Sequence, residues 1–332
     1  MSSIAETPAV VGPPPPFDSE LVAPLSAIRQ QLSPTMTGAD IPAVRAAMAA
    51  MDMSDEELTG DGAFDVRVVT ASGPGGGPEV RLHVWRPTAV TEPVGAIFYT
   101  HGGGMMMGSA RGFEVREVLT WAFELGLAVV SVEYRLAPEN PYPAQIDDCY
   151  AGLVWSVEHA GELGIDPERI IVAGASAGGG LTAALALLVR DRGGSALVGQ
   201  MLLEPMLDDR SDTPSAHQLA GLGVWDRGAN ILGWTALLGD LRGGPDVSCY
   251  AAPARAEDLS VLPATYIDVG SAETFRDEAV AFASRLWCAG VAAELHVWPG
   301  GFHGYDVFAP QAALSQITRI ARIAWLRRIL QF

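Results

Sequence analysis

Apolar residues recur along this chain with two periods and in short unbroken runs, and each pattern predicts a kind of element. Residues 64–70 and 80–85 alternate polar and apolar positions, the signature of half-buried strands, and the glycine-rich stretch 73–78 between them predicts a hairpin turn. The runs at 94–100, 127–133, 170–174, 197–203, 265–269 and 294–298 are short and more uniformly apolar, with helical segments between them. Apolar strands separated by helices predict a parallel sheet covered on both faces. The whole reads as an α/β fold on a mostly parallel, eight-stranded sheet.

Helical spacing appears first ahead of any strand. Leu21, Leu25, Ile28 and Leu32 form one stripe, and after a break at Pro34 and Pro42, Val44, Ala47, Met48 and Met51 form another. Ile146, Cys149, Tyr150, Leu153, Val154 and Val157 make a third, and 181–189 and 317–330 also read as helices. Residues 1–16 end in four prolines, Pro13 to Pro16, which cannot be helical and predict an extended or mobile arm. Residues 205–239, with Trp225, Trp234 and many turn formers, interrupt the strand–helix rhythm and predict an excursion out of the sheet. The expected organisation is therefore an arm (1–16), a helical prelude (17–58) and a main domain (59–332).

Composition narrows the chemistry. The net charge is −18 and every one of the 21 basic residues is arginine. An acidic chain without a basic stripe excludes nucleic acid and an anionic membrane as natural partners. Without lysine there is no Schiff base, no P-loop lysine and no Ser-x-x-Lys dyad. Cys149, Cys249 and Cys288 are far apart, odd in number and lack metal-ligand spacing, so free thiols are expected and no metal is implied. No apolar run is long enough to span a bilayer, and no basic start precedes an apolar core at the N-terminus. A cytoplasmic location is the expectation.

Gly174-Ala175-Ser176-Ala177-Gly178 lies between the apolar run 170–173 and the helical run 181–189. A serine on a sharp strand-to-helix turn between glycines is a nucleophile elbow, whose helix points its positive end at developing negative charge. Upstream, His101-Gly102-Gly103-Gly104 leaves another strand, where backbone N–H groups can stabilise a tetrahedral oxyanion. The expected donors are Gly103, Gly104 and Ala177, while His101 is expected to anchor the loop by hydrogen bonds. A general base should come late in the chain, after an acid. His303, bracketed by glycines after the run ending at Trp298, has that position; His83, His159, His217 and His296 do not. Glu273 and Asp277 are both candidates for the acid. Glu273 is favoured because it lies in the loop beyond a strand, where ligands collect in open α/β sheets, whereas Asp277 and Glu278 read as the first turn of a helix. Met105, Met106 and Met107 either line an adaptable pocket or pack beneath a cover, and Phe17, Leu21, Trp225 and Trp234 could add to a pocket wall.

The order His101-Gly-Gly-Gly, then Tyr134-Arg135-Leu136-Ala137-Pro138-Glu139, then Gly-x-Ser-x-Gly, the acid loop and Gly-x-His resembles the hormone-sensitive lipase family of bacterial serine esterases. The resemblance covers most of residues 60–330. It implies the α/β-hydrolase fold, with the prelude and the excursion forming a cap. It also implies ester hydrolysis on Ser176 with His303 and Glu273, no cofactor, a small-molecule ester as substrate and a possible homodimer through the last strand. Two positions depart from the family, Ala175 where Asp or Thr is usual and Glu273 where Asp is usual. By its residues alone, Arg135 reads as a buried partner for Asp147 or Asp148. An amidase, carbamate hydrolase or acyltransferase would use the same residues, and a non-catalytic receptor on this fold is the remaining alternative.

Overall fold

The computed structural model describes residues 11–31, 35–73 and 77–331. Leu32, Pro34, the middle of the 73–78 loop and the first ten residues of the arm lie outside the described residues.

Eight strands form one sheet: β1 (Phe64–Ala71), β2 (Val80–Pro87), β3 (Val94–Thr100), β4 (Ala128–Glu133), β5 (Ile165–Ala175), β6 (Gly199–Leu203), β7 (Ala264–Gly270) and β8 (Ala293–Trp298). Their order is β1-β2-β4-β3-β5-β6-β7-β8. The alternating pair β1 and β2 is antiparallel, and β2 meets β4 antiparallel; every other pairing is parallel. This follows the hydrophobic pattern, since strands covered on both faces carry continuous apolar runs. On β3, Ala96 and Phe98 enter one core while Ile97 and Tyr99 enter the other.

The helices are α1 (Val22–Arg29), α2 (Ile41–Ala49), α3 (Asp55–Thr59), α4 (Val115–Leu125), α5 (Ala144–Glu158), α6 (Ala160–Leu163), α7 (Ala177–Asp191), α8 (Pro214–Gln218), α9 (Arg227–Leu238), α10 (Arg276–Cys288), α11 (Tyr305–Phe308) and α12 (Ala313–Leu330). Helices α5, α7 and α10 cover one face of the sheet, and α4 and α12 the other. The apolar stripe read at 146–157 is the buried side of α5, with Ile146, Cys149 and Leu153 inside.

The prelude helices pack at the carboxyl end of the sheet. Leu21 and Leu25 are buried with Phe302 and Tyr305 on either side of His303, and Asp18 N–H donates to Gly300 O at 3.0 Å. Ile41 is buried with Met106, Met107 and Trp225. The chain regains the sheet at Ala264, one residue before the expected run, and between the excursion and β7, Val247, Ala251, Ala252, Leu259 and Leu262 belong to the main core. Trp234, expected in a pocket wall, is fully buried in that same core, because α9 turns this side chain inward.

Candidate active site

Ser176 stands between β5 and α7 with φ 56° and ψ −120°. A non-glycine residue held there stores backbone strain of about 1–3 kcal/mol, which the surroundings must over-determine. They do: Ser176 N–H donates to Leu203 O at 2.8 Å, and Ser176 O accepts from Met206 N–H at 2.9 Å. α7 begins at Ala177, ahead of the apolar run, and runs through Gly178, Gly179 and Gly180 despite their poor helix propensity. Close packing requires them. A Cβ at Gly178 would lie 1.9 Å from Thr100 O, and one at Gly180 2.1 Å from Met206 O.

Ser176 Oγ is 3.0 Å from His303 Nε2, and His303 Nδ1 is 3.2 Å from Glu273 Oε1. Glu273 Oε2 accepts from Gly270 N–H at 3.1 Å, which fixes the carboxylate, and the Phe275 ring meets the imidazole edge-on at 5.2 Å. Asp277 is turned elsewhere. Its Oδ2 accepts from Ser215 N–H at 2.7 Å and its Oδ1 from Arg276 Nε at 2.7 Å, so it holds α8 against α10. Glu278, beside it, is buried and accepts from Leu207 N–H at 2.7 Å.

The loop after β3 turns back on itself through positive φ at Gly103 (104°), Gly104 (61°) and Met105 (63°). Among the described residues, the N–H groups of Gly103, Gly104 and Ala177 donate to no protein acceptor. A Cβ at Gly104 would come within 2.4 Å of the Trp225 ring, so glycine lets this backbone lie against the indole. His101 is fully buried, its ring stacked on Tyr134 at 4.1 Å, with Nδ1 2.8 Å from Gly102 O. Burial lowers its pKa, which keeps it neutral and fits an anchor. Met105 lies in the main core, while Met106 and Met107 pack beneath α2. The motif at 134–139 supports the loop from below. Tyr134 Oη donates to His101 O at 2.8 Å, and Ala137 N–H donates to Met105 O at 2.9 Å. Arg135 pairs with Asp148 at 2.7 Å; the aspartate is buried, but the arginine stays about a third exposed rather than buried.

Three residues at this site escaped the reading of the sequence. Arg45 of α2 donates to Met106 O and Ala137 O and pairs with Glu139. Glu114, its pKa raised by burial, accepts the Gly102 N–H and the Tyr99 hydroxyl. Glu204, directly after β6, points its Oε2 to within 3.5 Å of His303 Nδ1. An acid ending an apolar strand run is the one signal that could have drawn attention to Glu204. Glu204, Glu273 and His303 bring ligand-type atoms within 4.8 Å of one another, but the imidazole faces Ser176 and each carboxylate already accepts a backbone N–H. That donor set suits proton chemistry.

A family model for the alpha/beta hydrolase fold matches residues 97–307. Carboxylesterase NlhH of Mycobacterium tuberculosis is 37% identical over 279 residues, 83% of this chain and 85% of that protein. The arylesterase of Saccharolobus solfataricus is 32% identical over 236 residues, 68% of this chain and 73% of its own. Among solved structures, a bacterial heroin esterase superposes with a TM-score of 0.85 at 40% identity, covering 95% of this chain and 98% of that one. The chain belongs to the hormone-sensitive lipase family of α/β hydrolases. It is a carboxylic ester hydrolase. No helix among the described residues is long and apolar enough to cross a membrane.

Proposed function

We propose that this enzyme hydrolyses small to medium esters through an acyl-enzyme on Ser176, with His303 as general base and acid and Glu273 as the orienting acid. The observation that carries the reading is the unbroken chain of contacts from Ser176 Oγ through both imidazole nitrogens to Glu273 Oε1. His303 Nε2 takes the serine proton as Oγ attacks the ester carbonyl, and Nδ1–H stays with Glu273, which balances the imidazolium charge. The N–H groups of Gly103, Gly104 and Ala177, which donate to no acceptor among the described residues, hold the oxyanion. The imidazolium then protonates the leaving alcohol, and a water activated by the same nitrogen releases the acid.

The cap belongs to this proposal: the described residues of 17–58 and the first part of the excursion, through α8 and α9, lie over the site. Trp225, against Gly104, is the aromatic wall nearest the oxyanion loop. An apolar cover of this kind suits compact esters better than lipid droplets or polymers. A homodimer along β8 completes the reading, since β8 is a free edge of the sheet with Val297 exposed; sedimentation analysis reads it. A fluorophosphonate probe should label Ser176 alone. Ser176→Ala should remove both the labelling and p-nitrophenyl ester turnover without changing the fold. Retained turnover in that variant would end the proposal.

A further inference from the structure

Among the described residues no arginine lies within ion-pair distance of Glu204, which stands beside a histidine that Glu273 approaches more closely. It is 6% exposed, and its backbone sits at φ 39°, a left-handed conformation that costs a non-glycine residue about 1–2 kcal/mol. That backbone is held by Glu204 N–H donating to Asp268 O at 2.7 Å, across from β7. The turn sends the side chain inward and not toward solvent. Its Oε2 accepts the Gly304 N–H at 2.8 Å, and the same oxygen lies 3.5 Å from His303 Nδ1. Glu273 Oε1 approaches that nitrogen at 3.2 Å. Two carboxylates on different loops, one after β6 and one after β7, converge on one ring nitrogen.

Burial in a water-poor site, then the charges of Glu273 and Asp306, push the Glu204 carboxyl well above the usual carboxylate range, against smaller opposing pulls from Gly304 N–H and Arg322. A like charge this close disfavours the ionised form of Glu204, whose ligand atom lies within 4.8 Å of that of Glu273. A polar group buried at this cost, in strained backbone, has more to do than fill space.

We propose that Glu204 is a positioning residue for His303, a second carboxylate that fixes the His303–Gly304 backbone and stands in for Glu273 at Nδ1. This rests on the triad reading above. When Ser176 gives its proton to Nε2, the positive imidazole lies against two carboxyl groups. Neither takes the Nδ1 proton; the nearer one balances its charge. If Glu273 is made neutral, burial still raises the Glu204 carboxyl but the repulsion from Glu273 is gone, and the protonated imidazole 3.5 Å away favours its charged form. Glu204 then ionises and holds the same tautomer.

Kinetics and melting temperature of Glu204→Gln, Glu273→Gln and the double variant test this, because the amide oxygen introduced by Glu204→Gln can still accept the Gly304 N–H. In the serine protease template, neutralising the lone acid lowers kcat by about ten-thousandfold. Here Glu273→Gln should cost only about a hundredfold, Glu204→Gln about tenfold with KM and Tm unchanged, and the double variant about ten-thousandfold. The downfield Nδ1–H proton resonance of His303 should survive in each single variant and vanish in the double. A double variant no slower than Glu273→Gln, with the resonance already lost in that single variant, would overturn the proposal. Where Glu204→Gln lowers Tm too far to assay, the resonance in Glu273→Gln decides alone. These outcomes are separate from Ser176→Ala, whose retained turnover would remove the triad itself.

Discussion

Arg45 and Glu139, 94 residues apart in the chain, form a bidentate ion pair with both nitrogen–oxygen distances at 2.8 Å. The same guanidinium donates through Nε to Met106 O at 2.6 Å and through NH2 to Ala137 O at 2.8 Å. One side chain from the prelude thus ties the loop after β3 to the turn after β4. Hydrogen bonds from Arg45 hold the Glu139 carboxyl down at about 2. A depressed carboxylate contributes its stabilisation above its ordinary pKa and loses it as pH falls through the lowered one, so the clasp persists at every pH an esterase meets.

Glu139 is 60% exposed, so Arg45→Ala should cost less than about 1 kcal/mol of stability. The loop carbonyls lose their donor, however, and the N–H groups beside them lose their aim. The expected result is a fall in kcat of about tenfold with Tm nearly unchanged. Unchanged kcat would show that the loop holds its shape without the prelude.

Truncation separates arm from cap. Among the described residues, the arm is held by two exposed bonds, from Gln218 Nε2 to Gly12 O and Pro13 O. Removing residues 1–16 should therefore leave activity and Tm nearly unchanged. Removing 1–58 uncovers Phe302, Tyr305, Met106 and Met107, and should shift acyl-chain preference and promote aggregation. A 1–58 deletion that stays soluble with the same chain-length preference would refute the cap.

Much of this was legible from hydrophobic pattern because the sheet is buried on both faces, which writes each parallel strand as an apolar run. β5 starts at Ile165, earlier than its pattern, because Asp166, Glu168 and Arg169 are polar. Residues 240–264 gave no expectation because Val247, Ala251 and Leu259 reach the core without any period. Ser176, Glu273 and His303 could be singled out because their motifs have local spacing and chain order, and the structure brings the three side chains together. Glu204 was not singled out, since its reach depends on a positive φ that no neighbouring residue type announces. Arg45 was not, because its partners are joined only by tertiary packing.

The choice between acids is open to a direct measurement. Asp277→Asn keeps an acceptor for Ser215 N–H but loses the charge facing Arg276 at the start of α10. It should cost about 1 kcal/mol of stability and leave kcat within about twofold. A severe loss of kcat with Tm intact would mean that Asp277, and not Glu273, serves the imidazole.

The last prediction concerns the charge cluster behind the histidine loop. Arg322 of α12 is 3% exposed and faces three carboxylates: Glu117 of α4 at 2.9 Å, Asp268 of β7 at 2.8 Å and Asp306 of α11, which it also bonds. Arg319 adds a weaker contact to Glu117 at 3.8 Å. Burial raises the Glu117 carboxyl from its ordinary 4.5 to about 7; Arg322 and Arg319 pull it down and Asp306 pushes it up, without reversing the shift. The sign follows from proton counting. Between 4.5 and about 7 the folded protein holds a proton on Glu117 that the unfolded chain has released, so stability falls as pH rises through that window. Glu117→Gln keeps an acceptor for Arg322 and removes the titration. Wild type should lose a few degrees of Tm, roughly 2–4 °C for each kcal/mol, between pH 5 and 7 at constant ionic strength. The glutamine variant should show a flatter profile across the same range. An identical slope in both proteins would mean that Glu117 is ionised throughout and that Arg322 carries all three charges at once.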